Sequence, residues 1–100
     1  MGMIFTYILE LNNGKNYTGM TKDMAVRLEQ HKIGMSISTK AYRPVKLIWL
    51  QGNVTRETAR NLEMKIKRTG AKRFMKTYPL GNLGMGVINA LNGMEKSKRR

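Results

Sequence analysis

Met3-Ile4-Phe5-Thr6-Tyr7-Ile8-Leu9-Glu10-Leu11, Asn12-Asn13-Gly14 and Asn16-Tyr17-Thr18-Gly19-Met20 are the stretch on which the fold turns. The first segment is rich in β-branched and aromatic residues, the second is turn chemistry, and the third resumes an extended pattern, so the three read as a β-hairpin. The turn decides which side chains share a face. A two-residue Asn13-Gly14 turn pairs Tyr7 with Met20 and puts Tyr7 and Tyr17 on opposite faces. A three-residue loop with Gly14 in the left-handed region pairs Tyr7 with Gly19, and Tyr7, Leu9, Tyr17 and Gly19 then lie on one face. We favour the second register.

Working outward, Asp23 is a good N-cap for a helix through Met24-Ala25-Val26-Arg27-Leu28-Glu29-Gln30-His31, and Gly34 is its stop. Met35–Pro44 is polar and irregular and reads as a loop. Val45–Gln51 is a continuous apolar and aromatic run, which predicts the central, buried strand. Thr55 caps a second helix reaching about Arg68, with Ala59, Leu62 and Ile66 at helical spacing. A short third helix fits Ala71–Tyr78 before Pro79, and Met85–Leu91 fits a final helical turn among glycines. The expected class is α/β of the α+β type, a small mixed or antiparallel three-stranded sheet flanked by helices in the order β-β-α-β-α-α. Residues 1–94 are expected to form one domain, with 95–100 a disordered basic tail.

Charge narrows the function. Nineteen Lys and Arg face six Asp and Glu, a net +13 over 100 residues, and only four of the bases lie between Lys96 and Arg100. The basicity therefore belongs to the body of the chain, and such self-repulsion is best explained by a polyanionic partner, nucleic acid before membrane. The absence of cysteine excludes disulfides, iron–sulfur clusters and thiolate zinc sites, and a single His excludes a histidine cluster. Nine Met read as core filler. No segment reads as a membrane span or a signal peptide, so the expected location is cytoplasmic.

The acidic residues are Glu10, Asp23, Glu29, Glu57, Glu63 and Glu95, and no two form the paired carboxylates that two-metal nucleases use. No Walker A loop, nucleophile elbow or dinucleotide fingerprint is present. Any catalysis must rest on one carboxylate helped by Tyr, Arg, Lys or His. Such residues occur as an ordered set: Phe5-Thr6-Tyr7, Tyr17-Thr18-Gly19 ten residues on, Arg27-x-x-x-His31, and Glu63 within a helix. The set, with its hairpin, helix, strand and helix, resembles the GIY-YIG nuclease superfamily over roughly residues 3–78, and is most similar to its short stand-alone members.

That resemblance implies a metal-assisted attack of water on a DNA phosphodiester. Tyr7 and Tyr17 match the motif tyrosines, Arg27 the helix arginine, His31 the residue one turn later, Glu63 the sole metal ligand and Gly19 the motif glycine. Mg²⁺ or Mn²⁺ is the implied single ion. The chain departs from the motif at Phe5, Thr6 and Thr18, where Gly, Ile and Ile are usual, and Asn82, Asn89 and Asn92 are candidates for a further asparagine of larger members. An ion on Glu63 would polarise the phosphate and stabilise the leaving 3′-oxygen, and Arg27 would offer the phosphate its planar fork. A tyrosine, ordinarily of pKa ~10, would have to be lowered by nearby cations to accept water's proton, and Tyr7 is the favoured base.

Each residue also has a plainer role: strand aromatics for Tyr7 and Tyr17, a solvated cation for Arg27, a helix-terminal cation for His31, and an i,i+4 pair with Lys67 for Glu63. The segment from Arg60 to Lys76 adds Lys65, Lys67, Arg68, Lys72 and Arg73, too dense a run of one sign for a merely solvated face, and phosphate contact is the better reading. Lys15, Lys22, Lys40 and Arg43 would extend the path. The expected partner is DNA, with branched, flapped and single-stranded forms all candidates, RNA less favoured, and a protein partner as one source of specificity. The competing reading is a non-catalytic basic nucleic-acid-binding module on the same fold. A basic RNA- or ribosome-associated protein is a third, supported by charge alone.

Overall fold

The structure is a computed structural model and describes residues 2–79 and 81–93. The basic segment 95–100 lies outside the described residues. Strand β1 (Ile4–Glu10) and strand β2 (Asn16–Thr21) are followed by helix α1 (Met24–Ile33), a 3₁₀ turn (Lys40–Tyr42), strand β3 (Lys46–Asn53) and helices α2 (Arg56–Thr69), α3 (Ala71–Thr77) and α4 (Gly84–Gly93). The α+β class and the element order are as expected, with α4 a longer helix than the single turn read from the sequence.

The hairpin adopts the register that pairs Tyr7 with Gly19 and Leu9 with Tyr17. Gly14 sits at φ 83°, the left-handed conformation that a side chain rarely tolerates, and the three-residue loop follows from it. Helix starts also match the residues read as caps. Asp23 accepts from the N–H of Val26 and Thr55 from that of Thr58. Helix α1 ends at Gly34, whose N–H bonds the carbonyls of Gln30 and His31.

The sheet is wholly antiparallel in the order β2-β1-β3, which corrects the placement of the Val45–Gln51 run: β3 is an edge and β1 the centre. The run is apolar throughout for a different reason. The β1–β3 register shifts between Ile8 and Leu9, leaving Ile48 unmatched, a bulge that breaks the alternation. Leu47 and Leu50 consequently enter the same core layer, while Ile48 and Trp49 face the other. Helices cover both faces, so both need apolar residues.

Those layers position the site. Tyr7, Leu9, Leu47 and Leu50 pack with Met24 and Leu28 of α1 and Ile88 of α4. Ile8 and Trp49 pack with Ile66 of α2 and Phe74 of α3 across the sheet. The outer edge of β3 is closed by two side-chain amides. Asn92 exchanges bonds with the backbone N–H and C=O of Leu47 at 2.9 and 2.8 Å, and Asn82 does the same for Gly52 at 2.9 and 3.0 Å. Each amide imitates a neighbouring strand and protects an edge otherwise open to association.

Candidate active site and its basic cleft

Tyr7 and Tyr17 stand on one face of the hairpin, and α1 lays Arg27 and His31, one turn apart, over them. Tyr7 is 1% exposed and its hydroxyl lies 2.8 Å from Nε2 of His31, while Nε of Arg27 donates to it at 3.4 Å. Nδ1 of His31 is 2.8 Å from the hydroxyl of Thr39, which reaches in from the loop after α1. Nη1 of Arg27 is steadied by Oε1 of Gln30 at 2.9 Å. The rings of Tyr7, Tyr17 and His31 form a triangle with centroids 6.3, 5.7 and 5.3 Å apart.

Gly19 completes this packing. A Cβ there would sit 2.7 Å from the hydroxyl oxygen of Tyr7, 2.8 Å from its Cζ and 3.1 Å from Cε2 of Tyr17. The missing side chain is the space in which the Tyr7 hydroxyl lies. Gly19 thus does more than end a strand.

Burial sets the protonation states. Removal from water pushes the Tyr7 phenol up to about 12, and the Arg27 hydrogen bond, which pulls the other way, does not offset it. This reverses the expectation that neighbouring cations would lower it. Burial and then the Arg27 charge hold His31 down at about 4. His31 is therefore neutral at pH 7, and 0% exposed, rather than a helix-terminal cation in water. The bond to Tyr7 in turn raises the pKa of Arg27. Because Arg27 can only donate, the proton of the Tyr7 hydroxyl points to the lone pair on Nε2, and Nδ1–H donates to Thr39. The partners assign this tautomer.

Glu63 comes from the layer across the sheet. Helix α2 packs on β1 and β2, and the Glu63 charge is felt at Tyr7, where it helps keep the phenol protonated. Its carboxylate is half-buried and pairs with Lys67 at 3.1 Å, the i,i+4 contact legible in the sequence. Tyr7, Tyr17 and His31 pack ring against ring and Arg27 bonds the Tyr7 hydroxyl, and Glu63 joins them through its field. Among the described residues no three His, Cys, Asp or Glu side chains group as a metal cage. A lone carboxylate still suits a hard divalent ion that keeps several waters and takes its other oxygens from a phosphate. Lys67, mostly in water, is a replaceable partner. A single carboxylate is compatible with a divalent ion bound together with substrate.

Beside Tyr17 opens a cleft of about 610 Å³ between the hairpin and the α2–α3 turn, lined by Lys15, Asn16, Lys67, Lys72 and Arg73. Lys72 ties α3 to the hairpin turn, donating to the carbonyl of Gly14 at 2.7 Å and to Oδ1 of Asn16 at 3.2 Å. Four of the bases read as phosphate contacts thus converge next to a motif tyrosine. Two do not. Lys65 lines a separate cavity with Trp49, Phe74 and Tyr78, and Lys22 lines one with Met3, Phe5 and Leu83. Arg60 and Arg68 are exposed on α2 without a place in any of these cavities.

Three residues of this arrangement escape sequence reading. Thr39 and Gln30 are ordinary polar residues in a loop and on a helix, and only the fold brings them to His31 and Arg27. Thr6, a departure from the motif, has a role in the other layer: its hydroxyl donates to the carbonyl of Ala59 at 3.1 Å and accepts from Nδ2 of Asn53 at 3.1 Å. In an α-helix that same carbonyl receives the N–H of residue 63. Of the three asparagine candidates, Asn82 and Asn92 close the β3 edge and Asn89 is exposed on α4.

Fold and site together define a GIY-YIG type of domain, and the model of the GIY-YIG catalytic domain matches residues 3–78. The chain belongs to that family. It is similar to a UPF0213 protein of Streptococcus pneumoniae, 42% identical over 65 residues that span 64% of this chain and 66% of that protein, a little under two thirds of its length. A UPF0213 protein of Staphylococcus aureus is 38% identical over 64 residues, 63% of this chain and 78% of that one. The solution NMR structure of a UPF0213 protein from Bacillus halodurans superposes with a TM-score of 0.50 at 26% identity, covering 77% of this chain and 83% of that chain. The family is one of nucleases acting on nucleic acid. No helix among the described residues is long and apolar enough to cross a membrane.

Proposed function

We propose that this chain is an endonuclease that hydrolyses DNA phosphodiester bonds with one divalent cation, Mg²⁺ or Mn²⁺, held by Glu63, and that it serves DNA repair, recombination or processing. The observation that carries the reading is the buried Tyr7 hydroxyl, held between a donating Arg27 and an accepting, neutral His31 in the space left by Gly19. A buried structural tyrosine needs one hydrogen-bond partner; this hydroxyl has both a guanidinium and an imidazole, in a space opened by a glycine. The cation would supply charge stabilisation at the phosphate and the leaving oxygen.

The chain's own residues account for the rest. Arg27, with bonds to Tyr7 and Gln30 already aligned, offers its remaining donors to a phosphate oxygen, where negative charge grows in the transition state. Water attacks phosphorus as its proton passes to the Tyr7 oxygen, the Tyr7 proton passes to Nε2 of His31, and the bond to the 3′-oxygen breaks. With Tyr7 raised and His31 lowered, this relay is uphill in the free protein. Burial is the larger cause of the low His31 pKa and the Arg27 charge the smaller; a phosphate seated on Arg27 would offset the smaller of the two and so make His31 a somewhat better acceptor. Lys15, Lys67, Lys72 and Arg73 would hold the strand by its backbone, which favours structure over base sequence.

Labelled branched, flapped, single-stranded and duplex DNA, with RNA counterparts, incubated with and without Mg²⁺ or Mn²⁺, tests the reading. Cation-dependent cutting of DNA is the expected result. Tight binding with no cutting under any cation would favour a binding module that keeps the fold.

A further inference from the structure

The loop after α1 holds Thr39 against the site yet presents apolar side chains to water. Ile37 is 93% exposed and Met35 64%. The loop is nevertheless fastened. The carbonyl of buried Ser36 accepts the N–H groups of Thr39 and Lys40 at 3.2 and 2.9 Å, and the carbonyl of Thr39 accepts that of Tyr42 at 2.9 Å. At its far end, the N–H of Asn12 in the hairpin turn bonds the carbonyl of Tyr42 at 3.0 Å, and Nδ2 of Asn12 bonds that of Arg43 at 2.6 Å. Ile37 is thus displayed on a pinned turn, two residues from a hydroxyl 2.8 Å from His31, with Lys40 and Arg43 exposed on the same loop.

We infer that Ile37, backed by Met35, is a wedge that enters the base stack of the DNA held at the site and unstacks one base step near the reacting phosphate. The inference rests on the nuclease reading. Ile and Met are side chains that proteins insert between base steps to kink a duplex, and a wedge works only when its turn is rigid. Lys40 and Arg43 supply the phosphate contacts that would hold the backbone on either side of the inserted residue. A second copy of the chain is a poor occupant of the same patch, because each copy carries +13 and the patch is flanked by cations.

Short duplexes carrying 2-aminopurine at successive positions, bound without divalent cation so that nothing is cut, read unstacking directly. The wild type is expected to raise the fluorescence at one or two neighbouring positions. Ile37→Ser should abolish the rise while weakening binding, by anisotropy, no more than about tenfold; Ile37→Leu should retain it. Equal fluorescence for the wild type and Ile37→Ser at every position, with binding intact, overturns the wedge alone. Absence of DNA binding by the wild type overturns the nucleic-acid reading and the wedge with it. Loss of a dimer in sedimentation on Ile37→Ser, with fluorescence unchanged, assigns the patch to self-association and also overturns the wedge.

Discussion

Gly19 and His31 carry the two sharpest consequences at the scale of single residues. Gly19→Ala places a methyl group 2.7 Å from the Tyr7 oxygen, and the Tyr7 side chain, buried and hydrogen-bonded to His31 and Arg27, has little room to yield. The variant should fold with a loss of about 1–3 kcal/mol, as overpacked sites do. Cleavage should fall by at least ~10²-fold, because small displacements of a positioned group have large rate effects. Thermal unfolding and single-turnover cutting check the two parts, and wild-type cutting would remove Gly19 from the site. His31 has a folded pKa of about 4, below its ordinary 6.5, so the unfolded chain binds the proton more readily between those values. The stability His31 contributes is complete above pH 6.5 and is lost as pH falls towards 4. Unfolding midpoints of the wild type and His31→Gln, followed over that range, should converge as the pH drops; a constant difference would contradict a neutral, buried His31.

At the scale of elements, the hairpin and the helix starts were legible because local chemistry decides them. Gly14 selects the turn, the turn selects the register, and Asp23 and Thr55 carry the oxygens that cap helices. The position of β3 was not legible. An apolar run signals two covered faces, and a bulged edge strand between two helical layers meets that condition as well as a central strand does. The direction of the Tyr7 shift was missed for a related reason, since sequence lists nearby cations but not the depth of burial that outweighs them. Thr39 gave no signal at all, being polar in a polar loop. The bond from Thr6 to the Ala59 carbonyl links β1 to the turn of α2 that carries Glu63. Thr6→Val keeps the shape and should lose about 1 kcal/mol of stability by denaturant titration, with Thr6→Ser restoring most of it. No change in Thr6→Val would mean that the bond contributes nothing net.

For the whole molecule, what matters is where +13 is placed. Lys15, Lys67, Lys72 and Arg73 line one cleft beside Tyr17, whereas Lys22 and Lys65 border other cavities. If about six phosphates are neutralised, the logarithm of DNA affinity should fall against that of salt with a slope of about −5. The Arg73→Ala change should weaken binding and flatten that slope by about one, while Lys65→Ala should do neither. Equal effects from both would mean that net charge, rather than the cleft, attracts DNA.

The proposed function depends most on Glu63, as the residue proposed to hold the ion for cutting DNA. Glu63→Gln keeps the side-chain shape and removes the charge. Binding of a labelled DNA in metal-free buffer should persist or tighten slightly, since a negative charge near the phosphates is gone. Cation-dependent cutting of the same DNA should fall by at least ~10²-fold, the scale of losing one preorganised electrostatic element. Cutting at the wild-type rate by Glu63→Gln would contradict the account.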